Sequence, residues 1–229
     1  MSKKVIIIAP HPDDEILGVG GTIARLSDEG AEVYIVIVTK GYPPLFDEDS
    51  INIGRREALE AHKFLKVKET FFLPFPAANL DSTPSREIND KLAEIFKSIK
   101  PDIIFIPFNG DIHIDHQRIF LSALVAARPN NSDFPVFIYA YETLSETNWN
   151  APYLTPNFVP NVFIDISQYL DKKIEAFKKY KSQIKEFPNE RSIESLKMLA
   201  MLRGSTVGCY AAEAFVLVRG FYKSGRKIL

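Results

Sequence analysis

Cysteine, histidine and tryptophan are all scarce: the 229 residues hold one cysteine, four histidines and one tryptophan. The lone cysteine, Cys209, excludes an intrachain disulfide framework and any zinc site built on several thiolates. A formal net charge of −1 removes the electrostatic case for a nucleic-acid partner or an anionic membrane surface. Long apolar runs are missing as well, none approaching the roughly 18 residues of a membrane span. The run that opens the chain and ends at Pro10 is too short for a secretory signal. A cytoplasmic protein without stable membrane insertion is therefore expected. The remaining composition, 46% hydrophobic and 25% charged, is enough to bury a core. No internal repeat or low-complexity linker divides residues 1–229, so one domain is expected.

Histidine scarcity makes histidine placement informative. Three of the four lie in two short stretches, Ala9-Pro10-His11-Pro12-Asp13-Asp14-Glu15 and His113-Ile114-Asp115-His116. Each stretch follows an apolar run that reads as a buried strand, Lys4–Ala9 before the first and Ile103–Pro107 before the second. Further strands are expected at Val33–Val38, Thr70–Leu73, Val136–Glu142, Val162–Ile166 and Ala214–Arg219. Between them, helical spacing predicts helices at Thr22–Glu29, Ile53–Leu65, Pro84–Lys100, Asp115–Ala127, a helix capped by Ser167 that runs through Ile184, and Arg191–Leu202 ending at Gly204. Gly18-Val19-Gly20-Gly21 is expected ahead of the first helix. Alternating strands and helices give an α/β, Rossmann-like three-layer fold with a mostly parallel sheet. Ligands in such folds bind beyond the carboxyl ends of the strands, where the two histidine stretches fall.

Imidazole and carboxylate without thiolate suit a catalytic zinc that keeps three protein ligands and an open position for water. His11, Asp14 and His116 form such a set. Asp13, beside a ligand, is then the candidate general base. His113 and His116 are three apart at a helix start and share a face, so His113 can meet a developing oxyanion or a leaving amine. Asp115 between them is read as orienting His113 through a ring N–H. The competing view of His11–Asp14 as a polar turn leaves three of four histidines at strand ends by chance. A dinucleotide fingerprint at Gly18–Gly21 is disfavoured, because the glycines start too far after the strand and lack the third glycine. Close helix packing is the better reading of them.

The paired motifs resemble the PIG-L/LmbE-type zinc N-deacetylases. Ile164-Asp165-Ile166-Ser167, Lys172 to Ser182-Gln183, and Tyr210-Ala211-Ala212-Glu213-Ala214-Phe215 resemble signatures of the same family, so the likeness covers most of the chain. It implies Zn2+ on His11, Asp14 and His116, Asp13 as base, and His113 against the tetrahedral intermediate. It implies hydrolysis of the N-acetyl group of an N-acetylglucosamine-type small molecule, and it admits a homo-oligomer. Two other readings stay open: hydrolysis of another amide, of a thiol or glycopeptide conjugate, and a non-catalytic Rossmann-like binding module. The chain departs from the family pattern at Pro10, where alanine is usual, at Tyr180, where histidine is common, and at Lys66 within Leu65-Lys66-Val67. The family arginine three residues before a glutamate is replaced by Arg55 and Arg56 ahead of Glu57, and both are candidates for substrate. Glu213 is a further candidate for the site wall. His62 reads as surface or structural, and Trp149 as a sugar-pocket wall or an interface residue.

Overall fold

A computed structural model describes residues 2–130 and 134–222. The chain runs β1 (Lys4–Ala9), α1 (Asp14–Asp28), β2 (Glu32–Lys40), α2 (Glu48–Phe64), β3 (Glu69–Pro76), a 3-10 turn (Leu80–Ser82), α3 (Ser85–Ile99), β4 (Ile103–Pro107), α4 (Ile114–Ala126), β5 (Phe137–Tyr141), β6 (Val162–Asp165), α5 (Leu170–Phe177), α6 (Ile193–Val207) and β7 (Ala212–Gly220). Among the described residues these strands form one sheet in the order β3-β2-β1-β4-β5-β7-β6. Neighbours from β3 to β5 pair in parallel, whereas β7 is antiparallel to both β5 and β6. The expected three-layer, mostly parallel architecture is what forms.

Period-two alternation in the buried strands splits the core into two layers. Val5, Ile7 and Ala9 face Ile16, Ala58, Ile174 and Leu196 from α1, α2, α5 and α6. Ile6 and Ile8 face Ile88, Leu92, Ile119 and Ala123 from α3 and α4. The chain leaves β1 towards β2 on one side and later returns to pair β4 on its other side. Loops after β1 and β4 therefore diverge around one crevice, the topological switch point of the sheet.

Several boundaries differ from expectation. The first helix begins at Asp14 and takes in the glycines expected before it. Packing explains them: a Cβ at Gly18 would sit 2.3 Å from Tyr141 Cδ2, and one at Gly21 would sit 2.7 Å from Ile166 Cδ1. The second helix begins at Glu48, because Asp47 caps it by accepting from the Ser50 N–H at 2.8 Å. Leu59 on this helix is exposed, whereas Ala58, Ala61 and His62 are buried. The helix expected through Ile184 stops at Phe177. Ser167 does not cap it but bonds Asp165, and residues 178–192 form a separate strap. The helix after Ser192 passes Gly204 and ends at Val207, with Gly208 at φ 78° closing it.

Glu213, expected at the site wall, lies instead inside the α1–α5–β7 contact. Its carboxylate accepts from the Gly21 and Thr22 N–H groups at 2.9 and 2.7 Å and from Lys173 Nζ at 2.5 Å. Lys173 also donates to the Leu17 carbonyl at 2.7 Å, and both side chains are buried. The carboxylate is consumed by these partners, so it holds α1 in place and has no access to substrate. Removing one member of such a pair strands a buried charge. Glu213→Ala is expected to lower unfolding stability by about 3–5 kcal/mol, read as a shift in the urea midpoint.

Candidate metal and hydrolytic centre

The loop after β1 is pinned to β2 through Pro10, whose carbonyl accepts from Thr39 Oγ1 at 2.7 Å and from the Thr39 N–H at 3.1 Å. The chain then turns through Asp13, which has φ 107° and ψ −28°. That left-handed backbone is unfavourable for a residue with a side chain and is held by its surroundings. The Asp13 N–H donates to Glu15 Oε2 at 3.2 Å, and the Asp13 carbonyl receives the N–H groups of Ile16 and Leu17. Glu15 is itself fixed by His62 Nε2 and the Tyr180 hydroxyl, with His62 Nδ1 placed 2.9 Å from Thr70 Oγ1. His62 is thus a buried structural residue. On the other side of the crevice His113 caps α4, its Nδ1 accepting from the Asp115 N–H at 3.1 Å.

These two loops bring His11, Asp14 and His116 together, with one candidate ligand atom from each lying within 4.8 Å of the others. Asp14 Oδ2 is 3.3 Å from His11 Nδ1 and 3.4 Å from His116 Nε2. Among the described residues, Asp14 Oδ1 and His116 Nε2 are buried without any hydrogen-bond partner. Two orphaned, buried ligand atoms in one cluster are rare in a folded interior. The donor set of two imidazoles and one carboxylate fits a divalent cation with a position left for water.

Each imidazole is oriented from behind. His116 Nδ1 lies 2.8 Å from Asp111 Oδ2, and Thr147 Oγ1 donates to Asp111 Oδ1 at 2.6 Å. His11 Nε2 lies 3.0 Å from Asp115 Oδ2. The expected role of Asp115 in orienting His113 is not what forms. Its carboxylate faces His11 because the Ala78 and Leu80 N–H groups draw it there, at 2.7 and 3.2 Å. His113 receives the Asp115 backbone N–H instead. Burial disfavours charge on His11, yet the bonds to Asp115 and Asp14 outweigh it and raise its pKa to about 9. Burial likewise opposes charge on His116, but Asp14 and Asp111 raise it to about 10. On His113, burial and the neighbouring His11 lower the pKa to about 4, against a weaker opposing pull from Asp115.

A cavity of about 320 Å³ opens beside this cluster, and His11, Asp13, His113, Arg55, Tyr180 and Arg191 all line it. Asp13 is 1% exposed, and burial raises its carboxyl to about 8 even though Arg191 opposes the shift. Arg191 donates from Nη1 to Asp13 Oδ2 at 2.8 Å, from Nη1 to Gln183 Oε1 at 3.2 Å and from Nε to Ser145 Oγ at 3.0 Å. Arg55 packs its guanidinium 5.0 Å from the Phe72 ring centre, whereas Arg56 is exposed and does not line the cavity. Trp149 is exposed and lies outside this cavity. Sequence reasoning misses Asp111 and Arg191. Asp111 carries a weak signal, a carboxylate one loop turn before His116; Arg191, 178 positions from Asp13, carries none.

Residues 6–127 match the family PIG-L, described as GlcNAc-PI de-N-acetylase. Diacetylchitobiose deacetylase of Thermococcus kodakarensis is 28% identical, over 96% of this chain and 85% of that protein. The solved N,N'-diacetylchitobiose deacetylase of Pyrococcus horikoshii, in complex with its inhibitor, is 30% identical, covers 96% of this chain and 85% of that one, and superposes with a TM-score of 0.76. A conserved protein of Thermus thermophilus has a TM-score of 0.76 at 26% identity, with 98% and 99% of the two chains covered.

The charge state of the centre gives two expectations. Asp111→Asn loses the carboxylate behind His116 and is expected to weaken divalent-cation affinity about 10–100-fold, measured by competition with a chromophoric chelator. Binding must also displace the protons held on His11 and His116, whose pKa values are about 9 and about 10. Affinity therefore rises with pH across the neutral range, and calorimetry in buffers of different ionisation enthalpy is expected to show proton release.

Proposed function

Since the chain belongs to the PIG-L family of N-deacetylases, we propose that it removes the N-acetyl group from an N-acetylglucosamine-type amino-sugar derivative, releasing acetate and the free amine. The observation that carries this reading is the buried His11–Asp14–His116 cluster, with two orphaned ligand atoms, opening beside Asp13 onto a cavity. His11 through Nδ1, Asp14 through its carboxylate and His116 through Nε2 would hold the cation, which we assign as zinc. When bound, such a cation acidifies water and polarises a carbonyl.

The chain's own groups supply the rest. Asp13 takes a proton from the attacking water; a bound cation beside it would favour the carboxylate against the burial that raises its pKa to about 8. Arg191 holds Asp13 Oδ2, and the other oxygen accepts nothing among the described residues, so it is available for that proton. His113 accepts at Nδ1 from a backbone N–H, so its neutral ring carries the proton on Nε2. That N–H is a donor for the oxyanion that forms at the acetyl carbon. Asp13, once protonated, returns the proton to the departing nitrogen. Arg55 contributes a guanidinium to the sugar hydroxyls, its stacking on Phe72 limiting the rotamers it would lose on binding. The deacetylase of Thermococcus kodakarensis supports a chitobiose-like substrate, and N-acetylglucosamine is the minimal test compound.

Acetate release from N-acetylglucosamine and diacetylchitobiose, by protein stripped of metal and then given one equivalent of zinc, is the direct test. Release is expected only with zinc. Asp13→Asn is expected to lower kcat by about 10²–10⁴, and His113→Ala by about 10²–10³, both with metal content unchanged. Full activity in Asp13→Asn would remove Asp13 from the base role. Stoichiometric zinc without release from either sugar would redirect the search to a different amide.

A further inference from the structure

A second cavity, of about 400 Å³, lies outside the hydrolytic centre and shares no lining residue with the first. One turn walls both: Glu146 faces the first cavity, and Thr147 and Asn148 face the second. The size is in the range of small-molecule sites, about 300–1,000 Å³.

The lining has a consistent chemistry. Asn148, Asn150 and Asn157 bring side-chain amides, Thr143 and Thr147 bring hydroxyls, and Phe158 brings an aromatic ring. Arg203 is the one cation of the wall, and Glu142 neutralises it through a bidentate pair at 2.8 and 2.6 Å. Its guanidinium is 5.8 Å from the Phe158 ring centre. With that charge already answered, a phosphate or carboxylate finds no free cation here. Asn148 is engaged with the Ser145 N–H and Glu190, Asn150 with the Pro156 carbonyl and Thr147 with Asp111, so Asn157 and Thr143 are the groups left for the hydroxyls of a ligand, and an aromatic ring suits the apolar face of a sugar.

Two wall side chains have no protein partner among the described residues, one buried and one open to solvent. Thr143 is 0% exposed, and its Oγ1 has no hydrogen-bond partner among the described residues. Its backbone N–H donates to Thr147 Oγ1 at 2.8 Å, which joins it to the turn between the two cavities. The Asn157 side chain is exposed at the rim and makes no bond among the described residues. We propose that this cavity binds one neutral pyranose unit, seated against Phe158 and hydrogen-bonded by the Asn157 amide and the Thr143 hydroxyl. The unit comes either from a separate sugar molecule or from a further residue of an oligosaccharide whose acetylated end lies in the first cavity; the second source rests on the deacetylase reading.

Trp149 supplies the readout. It is the only tryptophan of the chain and sits between Asn148 and Asn150, two residues of the cavity wall. Zinc-loaded protein titrated with methyl glucoside, which has no acetamide to hydrolyse, is expected to show a saturable change in tryptophan fluorescence. Leu199→Phe, which fills the cavity, and Asn157→Ala are each expected to weaken the midpoint by about tenfold. Arg55→Ala, in the first cavity, is expected to leave it unchanged. If Asn157→Ala also raises KM for an acetylated oligosaccharide and not for N-acetylglucosamine, the bound unit belongs to the substrate chain; unchanged KM for both identifies a separate sugar.

Three results would overturn the site: no saturable change, a change abolished by Arg55→Ala and kept in Leu199→Phe, or sedimentation showing that the cavity is closed by a second copy that Leu199→Phe releases. Acetate release without the fluorescence response removes this inference alone. The response without acetate release removes the deacetylase reading and keeps the site.

Discussion

The structure turns on one buried carboxylate, Asp14, set between two imidazoles where the sheet divides. It is 0% exposed, as is His116, and Asp13, Glu15, Asp111 and Asp115 are buried around it. Five carboxylates in one dry pocket cannot all ionise without compensation. Compensation comes from protons on His11 and His116, which their carboxylate partners favour, from the raised Asp13 carboxyl and from Arg191 beside it. A divalent cation held by these residues would take the place of those protons.

The same constraint explains the strained backbone at Asp13. Placing the Asp13 and Asp14 carboxylates in different surroundings requires a sharp turn between β1 and α1. The left-handed conformation at Asp13 provides it, and the Glu15–His62–Tyr180 network keeps the turn from relaxing. Asp14 then sees imidazoles, and Asp13 sees a guanidinium and the cavity. Neighbouring acids of one motif thus acquire separate chemical environments. Glu15, the third acid of the motif, contributes by fixing this backbone.

Sequence alone points to the parts of the candidate site carried by residue type next to a strand end. His11, Asp13, Asp14, His113 and His116 fall into that class, because a polar, metal-competent stretch after a buried strand has few structural uses. The parallel sheet is legible for a related reason: strands buried on both faces read as unbroken apolar runs. What stays hidden depends on which distant groups meet. Glu213 reads as a site residue, yet its charge is answered by Lys173 and two backbone N–H groups of α1. Asp115 turns to His11 rather than His113 because two backbone donors across the crevice attract it. The glycines of α1 read as a loop, since the close approach of Tyr141 and Ile166 that demands them is tertiary. Arg191 gives no local sign at all, as its partner is set by the course of the strap.

The division between legible and hidden parts follows the division of labour along the chain. The family match spans residues 6–127, and the candidate ligands, the proposed base Asp13 and the proposed oxyanion donor His113 lie inside it. Arg191, Tyr180 and the second cavity lie outside it. The strap at residues 178–192 links these regions: Ser182 bonds Glu57 of α2, Arg191 holds Asp13, and Glu190 accepts from the Ser145 N–H in the turn that separates the two cavities. Chemistry built on rigid strand ends can stay fixed while loops around it change what is admitted. The first cavity draws its walls from both regions, Arg55 and Phe72 from inside the match and Tyr180, Gln183 and Arg191 from the strap. The strap meets the candidate base directly through Arg191, which donates to Asp13.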